Sequence, residues 1–151
     1  MAKPHGVHRF SRPACALVLL LGGCGATPPE VPLAALTLEE VPAAPGSAQP
    51  NLAVGPDGAV YLSWIEPAGS SEHSLRYAVR RDGVWNMPAT IARGMDWFVN
   101  WADFPSLAVT ADGALVAHWL VRSGPGTYAY DVHLARPTDG GTTWSEAVAP
   151  H

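Results

Sequence analysis

The stretch QPNLAVGPDGAVYLSWI begins at Gln49, and FPSLAVTADGALVAHWL begins at Phe104. Leu52, Asp57, Gly58 and Trp64 recur as Leu107, Asp112, Gly113 and Trp119, each displaced by 55 positions (107 minus 52). A repeat limits the fold more than any single motif, because each copy is one supersecondary unit that buries its apolar face only against a neighbour. Both copies read as a short apolar strand, an Asp-Gly turn and an alternating strand that ends at tryptophan, the pattern of a β-hairpin. The continuations SLRYAVRRDGVWNMPATIA and AYDVHLARPTDGGTTWSEAVAP each add a strand, a glycine turn, a tryptophan and a further short strand. Four strands in about 50 residues is the plan of a β-propeller blade, so the expected fold is all-β. One blade is expected over 50–93, a linking loop over 94–103 and a second blade over 104–151.

Composition agrees with many short strands. Among 151 residues there are 15 Gly and 15 Pro, and only 15% are charged. Acidic side chains number 13 and basic ones 9. Lys3, Arg9 and Arg12 lie in the first dozen residues, so the remainder is markedly acidic. A nucleic acid partner is therefore not expected, since neutralising phosphates requires a basic face.

The N-terminus reads as an export signal over residues 1–23: the basic start MAKPHGVHRFSR, the apolar run ACALVLLL, then LGGCG. The apolar run is far shorter than the roughly 20 residues of a membrane span. Leu21-Gly22-Gly23-Cys24 resembles the bacterial lipobox, which implies a lipid on Cys24 and attachment to a membrane through it. Gly25 after the cysteine resembles the pattern of outer-membrane lipoproteins, which implies a place in the bacterial cell envelope, on its periplasmic or its surface side. With Cys15 in the leader and Cys24 lipidated, no disulfide is expected. The Ala- and Pro-rich stretch 24–49 suits an extended tether, although LTLEEV at 36–41 alternates enough to form a strand that closes a ring.

Asp139-Gly140-Gly141-Thr142-Thr143-Trp144 resembles the Asp-box of the bacterial neuraminidase repeat family, Ser-x-Asp-x-Gly-x-Thr-Trp, with Asp139, Gly141, Thr143 and Trp144 on the signature positions. Pro137 stands where that pattern has serine, and Asp82, Gly83 and Trp85 keep a shortened version in the first copy. These residue types suit a tight turn: the carboxylate accepts backbone N–H groups, glycine permits positive φ, and tryptophan anchors the loop. The resemblance covers about 50–151 and implies a sialidase-like propeller of about six blades, of which this chain holds two. It also implies that the Asp-box is structural and faces away from the ligand site. On this reading the chain is the N-terminal portion of a longer protein.

Sialidases bind the sugar carboxylate with three arginines and use a tyrosine nucleophile with a glutamate partner and an aspartate acid/base. The first arginine belongs at the start of the first blade, where this chain has QPNLAV. No catalytic residue of the family transfers onto this chain. A non-catalytic propeller lipoprotein that binds a glycan or an envelope protein is the leading expectation. The alternative is a sialidase-like glycoside hydrolase whose catalytic residues lie in further blades.

The loop GMDWFVNWADFP, Gly94 to Pro105, carries more aromatic and polar groups than a blade connection requires. Propeller topology puts it on the same face as EPAGSSEHS and RSGPGTYAY. Trp97, Trp101, Tyr128 and Tyr130 can stack on sugar rings while Asp96, Asn100, Asp103 and Arg122 bond hydroxyls. The competing use of Trp97 or Trp101 is to fill the gap between blades. Arg76, Arg80 and Arg81 read as solvated edge residues. Asp131 and His133 share a strand face without a third ligand fixed by spacing, so neither metal nor cofactor is expected. His118, at the place of Ser63, reads as a histidine with satisfied nitrogens.

Overall fold

The computed structural model describes residues 36–150, so Cys15, the lipobox and the leader lie outside the described residues. The compact fold begins at Glu39. It is all-β, with no helix among the described residues, and consists of two antiparallel sheets that do not close on themselves.

The first sheet holds β1 (Ala48–Val54), β2 (Val60–Pro67), β3 (His73–Arg81), β4 (Val84–Trp85) and β5 (Ala89–Gly94). Its order is β1-β2-β3, with β4 and β5 both pairing with β3. The second sheet holds β6 (Ser106–Val109), β7 (Leu115–Arg122) and β8 (Tyr130–Ala135) in that order. Beyond β8 an isolated bridge joins Leu134 to Val148, with N–H···O bonds of 2.9 Å in both directions. Each Asp-Gly turn closes a hairpin. Asp57 Oδ1 accepts the Ala59 N–H at 3.2 Å, Asp112 Oδ1 accepts the Ala114 N–H at 3.4 Å, and the following glycines take φ of 79° and 83°.

The ladders fix which residues of the two sheets correspond. Leu62 pairs with Ala78 and Trp64 with Arg76, as Ala117 pairs with Ala135 and Trp119 with His133. Successive strand residues point to opposite faces. The inner face of the first sheet presents Tyr61, Ile65, Leu75 and Tyr77, and against it pack Leu107, Ala117, Trp119, Ala135 and Trp144 of the second. Leu62, Trp64 and Ala78 form a separate buried cluster on the far face of the first sheet, with Trp85 against it. Repeat-equivalent residues thus face in opposite senses relative to the shared core. The second sheet uses its 117/119 face to cover the 61/65 face of the first, so the two repeats stack head to tail.

Part of the expected tether is docked. Ala43 packs on the Leu62–Trp64 cluster, the Ala44 N–H donates to Glu66 at 3.3 Å, and Glu39 pairs with Arg80 at 2.6 Å. Small apolar residues there cover an indole that would otherwise meet water. Leu36–Val41 joins no ladder, and Leu36, Leu38 and Val41 are exposed.

Candidate functional site

Two rims result from this arrangement. One carries the Asp-Gly turns and 138–143; the other carries 68–72, 94–105 and 123–129. On the second rim, Asp96–Phe98 runs as an extended segment along β7, beyond the end of β6. Arg122 N–H donates to the Asp96 carbonyl at 2.7 Å, Phe98 N–H donates to the Leu120 carbonyl at 2.9 Å, and Trp97 bridges Val121.

Strand alternation then separates two neighbouring aromatics. Trp97 enters the space between the sheets, where it stacks on His73 (6.3 Å, 14°) and meets Trp119 at 5.8 Å. It is buried and fills the inter-sheet gap, so its ring offers no platform to solvent. Phe98 turns to the opposite face and organises a second cluster. Its ring stacks on Tyr130 at 4.5 Å, meets Tyr128 edge-on at 6.3 Å, and lies under the Arg122 guanidinium at 5.1 Å. Tyr128 is 78% exposed. Phe98 is not among the candidates of the sequence; the alternation of Asp-Trp-Phe-Val is the signal that marks it.

The rest of the loop is fixed by its own polar groups. Asn100 Oδ1 accepts the N–H groups of Ala102 and Asp103 at 2.6 and 2.9 Å, and its Nδ2 donates to Asp103 Oδ2 at 2.7 Å. Asn100 and Asp103 therefore shape the turn, an Asx arrangement. The Gln49 side chain donates to the Asn100 carbonyl and ties the loop to the start of β1. The turn lifts Trp101 into solvent, where it is 87% exposed. The structure thus brings Asp96, Arg122, Tyr128 and Tyr130 together around Phe98, with Trp101 on the adjoining turn and Trp97 inside.

On the first rim, Asp139 Oδ1 accepts the Thr143 N–H at 2.6 Å and Oδ2 accepts the Thr143 hydroxyl at 2.7 Å. The Thr143 hydroxyl, then the Thr143 N–H, hold the Asp139 carboxyl below its ordinary 3.8. The Thr110 hydroxyl and then the Ala114 N–H lower Asp112 in the same sense, and the Arg81 guanidinium followed by the Ala59 N–H lower Asp57. Gly141 has φ of 111° and is buried; Trp144 meets Tyr77 edge-on at 5.9 Å. An open cleft of about 1000 Å³ lies at this rim between Tyr61, Tyr77, Arg81, Leu115 and Arg136. Its tyrosines already bond within the fold: Tyr77 to the Gly141 carbonyl and Tyr61 to Arg81.

The other sequence candidates are engaged structurally. Arg76 pairs with Glu66 at 3.2 Å and donates to the carbonyls of Pro88 and Ala89, Arg80 pairs with Glu39, and Arg81 with Asp57. These arginines are paired rather than merely solvated, because each strand position faces a carboxylate. His118 Nε2 donates to the Phe104 carbonyl at 3.1 Å, and its Nδ1 shares a hydrogen bond of 2.9 Å with the Ser106 hydroxyl. His133 lies against Trp119 at 6.1 Å. No protein-family model matches the chain, and no curated protein matches it.

Proposed function

We propose that this chain is a lipid-anchored protein of the bacterial envelope, built as a sialidase-like propeller, that binds a glycan on its loop rim without catalysing a reaction on it. The observation that carries the reading is the Phe98-centred cluster: Tyr128 and Tyr130 held by aromatic contacts, with the Arg122 guanidinium over the same ring. Sugar rings bind on exposed aromatic faces flanked by a few polar groups, and such a platform loses little entropy when its rings are already held. Trp101 adds a second exposed face, and Asp96 lies on the same edge of β7 as Arg122. The head-to-tail stacking of the two units supports the propeller, since that contact repeats without limit until a ring closes. The full-length chain on a glycan array tests the reading. Selective binding to one glycan class that Tyr128→Ala abolishes is expected; an array with no selective signal rejects it.

A further inference from the structure

Leu52 and Leu107 occupy one position in two copies of the unit, yet Leu107 is 2% exposed and Leu52 is 65% exposed. Val54 is 67% exposed, whereas its equivalent Val109 packs into the core. The difference lies in what covers each strand: β6 lies against β1, and nothing among the described residues lies over Leu52 and Val54. The docked segment with Ala43 covers the Trp64 side of that face and leaves this strand open.

The far face of the second sheet shows the converse. Ala53 and Tyr61 of the first sheet share the core with Leu107 and Val109 of the second, and the equivalents of Ala53 and Tyr61 are Ala108 and Val116, both exposed. Trp144 packs on Tyr77, and the residue equivalent to Tyr77 is Leu134. There, Val116, Leu134 and Val148 line a mostly apolar hollow of about 460 Å³. One end of the molecule thus exposes Leu52 and Val54 and the other exposes Ala108 and Val116, the repeat equivalents of residues that share the internal core.

We propose that this chain associates head to tail with further copies of itself, Leu52 and Val54 of one copy packing on Ala108 and Val116 of the next, and Trp85 entering the Leu134–Val148 hollow. A heterologous contact of this kind closes into a ring when its rotation permits. The inference does not depend on a glycan ligand and stands or falls separately from it.

Sedimentation velocity on the full-length chain at micromolar concentration tests it, with Leu52→Asp and Val116→Asp as variants. Both sites are exposed, so circular dichroism is expected to match the wild type. The wild type is expected to form one discrete oligomer and each variant a monomer. An equimolar mixture of the two variants should recover a dimer, because each retains one intact face and the two remaining faces are complementary. A monomeric wild type, an association that survives both substitutions, or a mixture that stays monomeric would overturn the proposal.

Discussion

The Tyr77 hydroxyl on the first sheet donates to the Gly141 carbonyl in the last turn of the second at 2.9 Å, a bond that crosses the inter-sheet core and is buried. Burial pushes this hydroxyl's pKa above its ordinary value, which keeps it a donor at all physiological pH. Tyr77→Phe removes one buried hydrogen bond and leaves the carbonyl unpaired. The expected loss is about 1–3 kcal/mol of stability, read as a lower Tm in a thermal melt. Gly141→Ala should cost as much or more. A Cβ there would lie 2.5 Å from the Tyr77 hydroxyl, on a backbone at φ of 111°.

Acid should weaken the turns before the sheets. Asp57, Asp112 and Asp139 all titrate below the ordinary 3.8, so protons bind them more weakly in the folded chain than in the unfolded one. Their contribution is complete above that value and is lost as pH falls through the lowered folded values. Melts at descending pH should show a flat Tm above about pH 5 and a decline beneath pH 4. Asp139→Asn, which keeps an oxygen for the Thr143 N–H, should show a shallower decline. An identical acid slope in that variant would mean the carboxylate does not carry it.

Trp97 and Trp101 belong to one loop but should respond oppositely. Trp97→Ala opens a cavity between His73 and Trp119 and should cost about 3–5 kcal/mol. Trp101→Ala removes an exposed ring and should stay within about 0.5 kcal/mol of the wild type. Urea denaturation of both variants measures the difference.

Cys24 is expected to carry lipid on the strength of Leu-Gly-Gly-Cys after a basic, apolar leader. Metabolic labelling with a fatty-acid analogue should mark the wild type and spare Cys24→Ala. Label retained in that variant would remove the lipid anchor from the account.

The all-β fold and the two Asp-Gly hairpins were legible because the repeat pairs an Asp-Gly turn with alternating residues in both copies, whereas the second copy forms three strands and an isolated bridge in place of the four expected. The facing of the units was not. Leu52 and Leu107 are the same residue in the same local pattern, and only the presence of a neighbouring sheet makes one core and the other surface. The loop was legible as unusual, yet its division was hidden. Asp96–Phe98 is extended because β7 offers an unpaired edge beyond β6, and that pairing alone sends Trp97 inward and Phe98 outward. Gln49 was unreadable for a related reason: it meets Asn100 only after the chain has passed through the whole first sheet.

The loop rim is expected to bind ligand and the Asp-turn rim only to hold the fold. Calorimetric titration with the glycan selected on the array, beside thermal melts, tests it on the wild type, the Trp101→Ala/Tyr128→Ala double variant and Asp139→Ala. The double variant should lose at least about tenfold in affinity with Tm nearly unchanged, since exposed aromatic anchors contribute to binding and little to folding. Asp139→Ala should melt lower and bind as the wild type does. Full affinity in the double variant, or binding lost in Asp139→Ala without a fall in Tm, would contradict the assignment of the two rims.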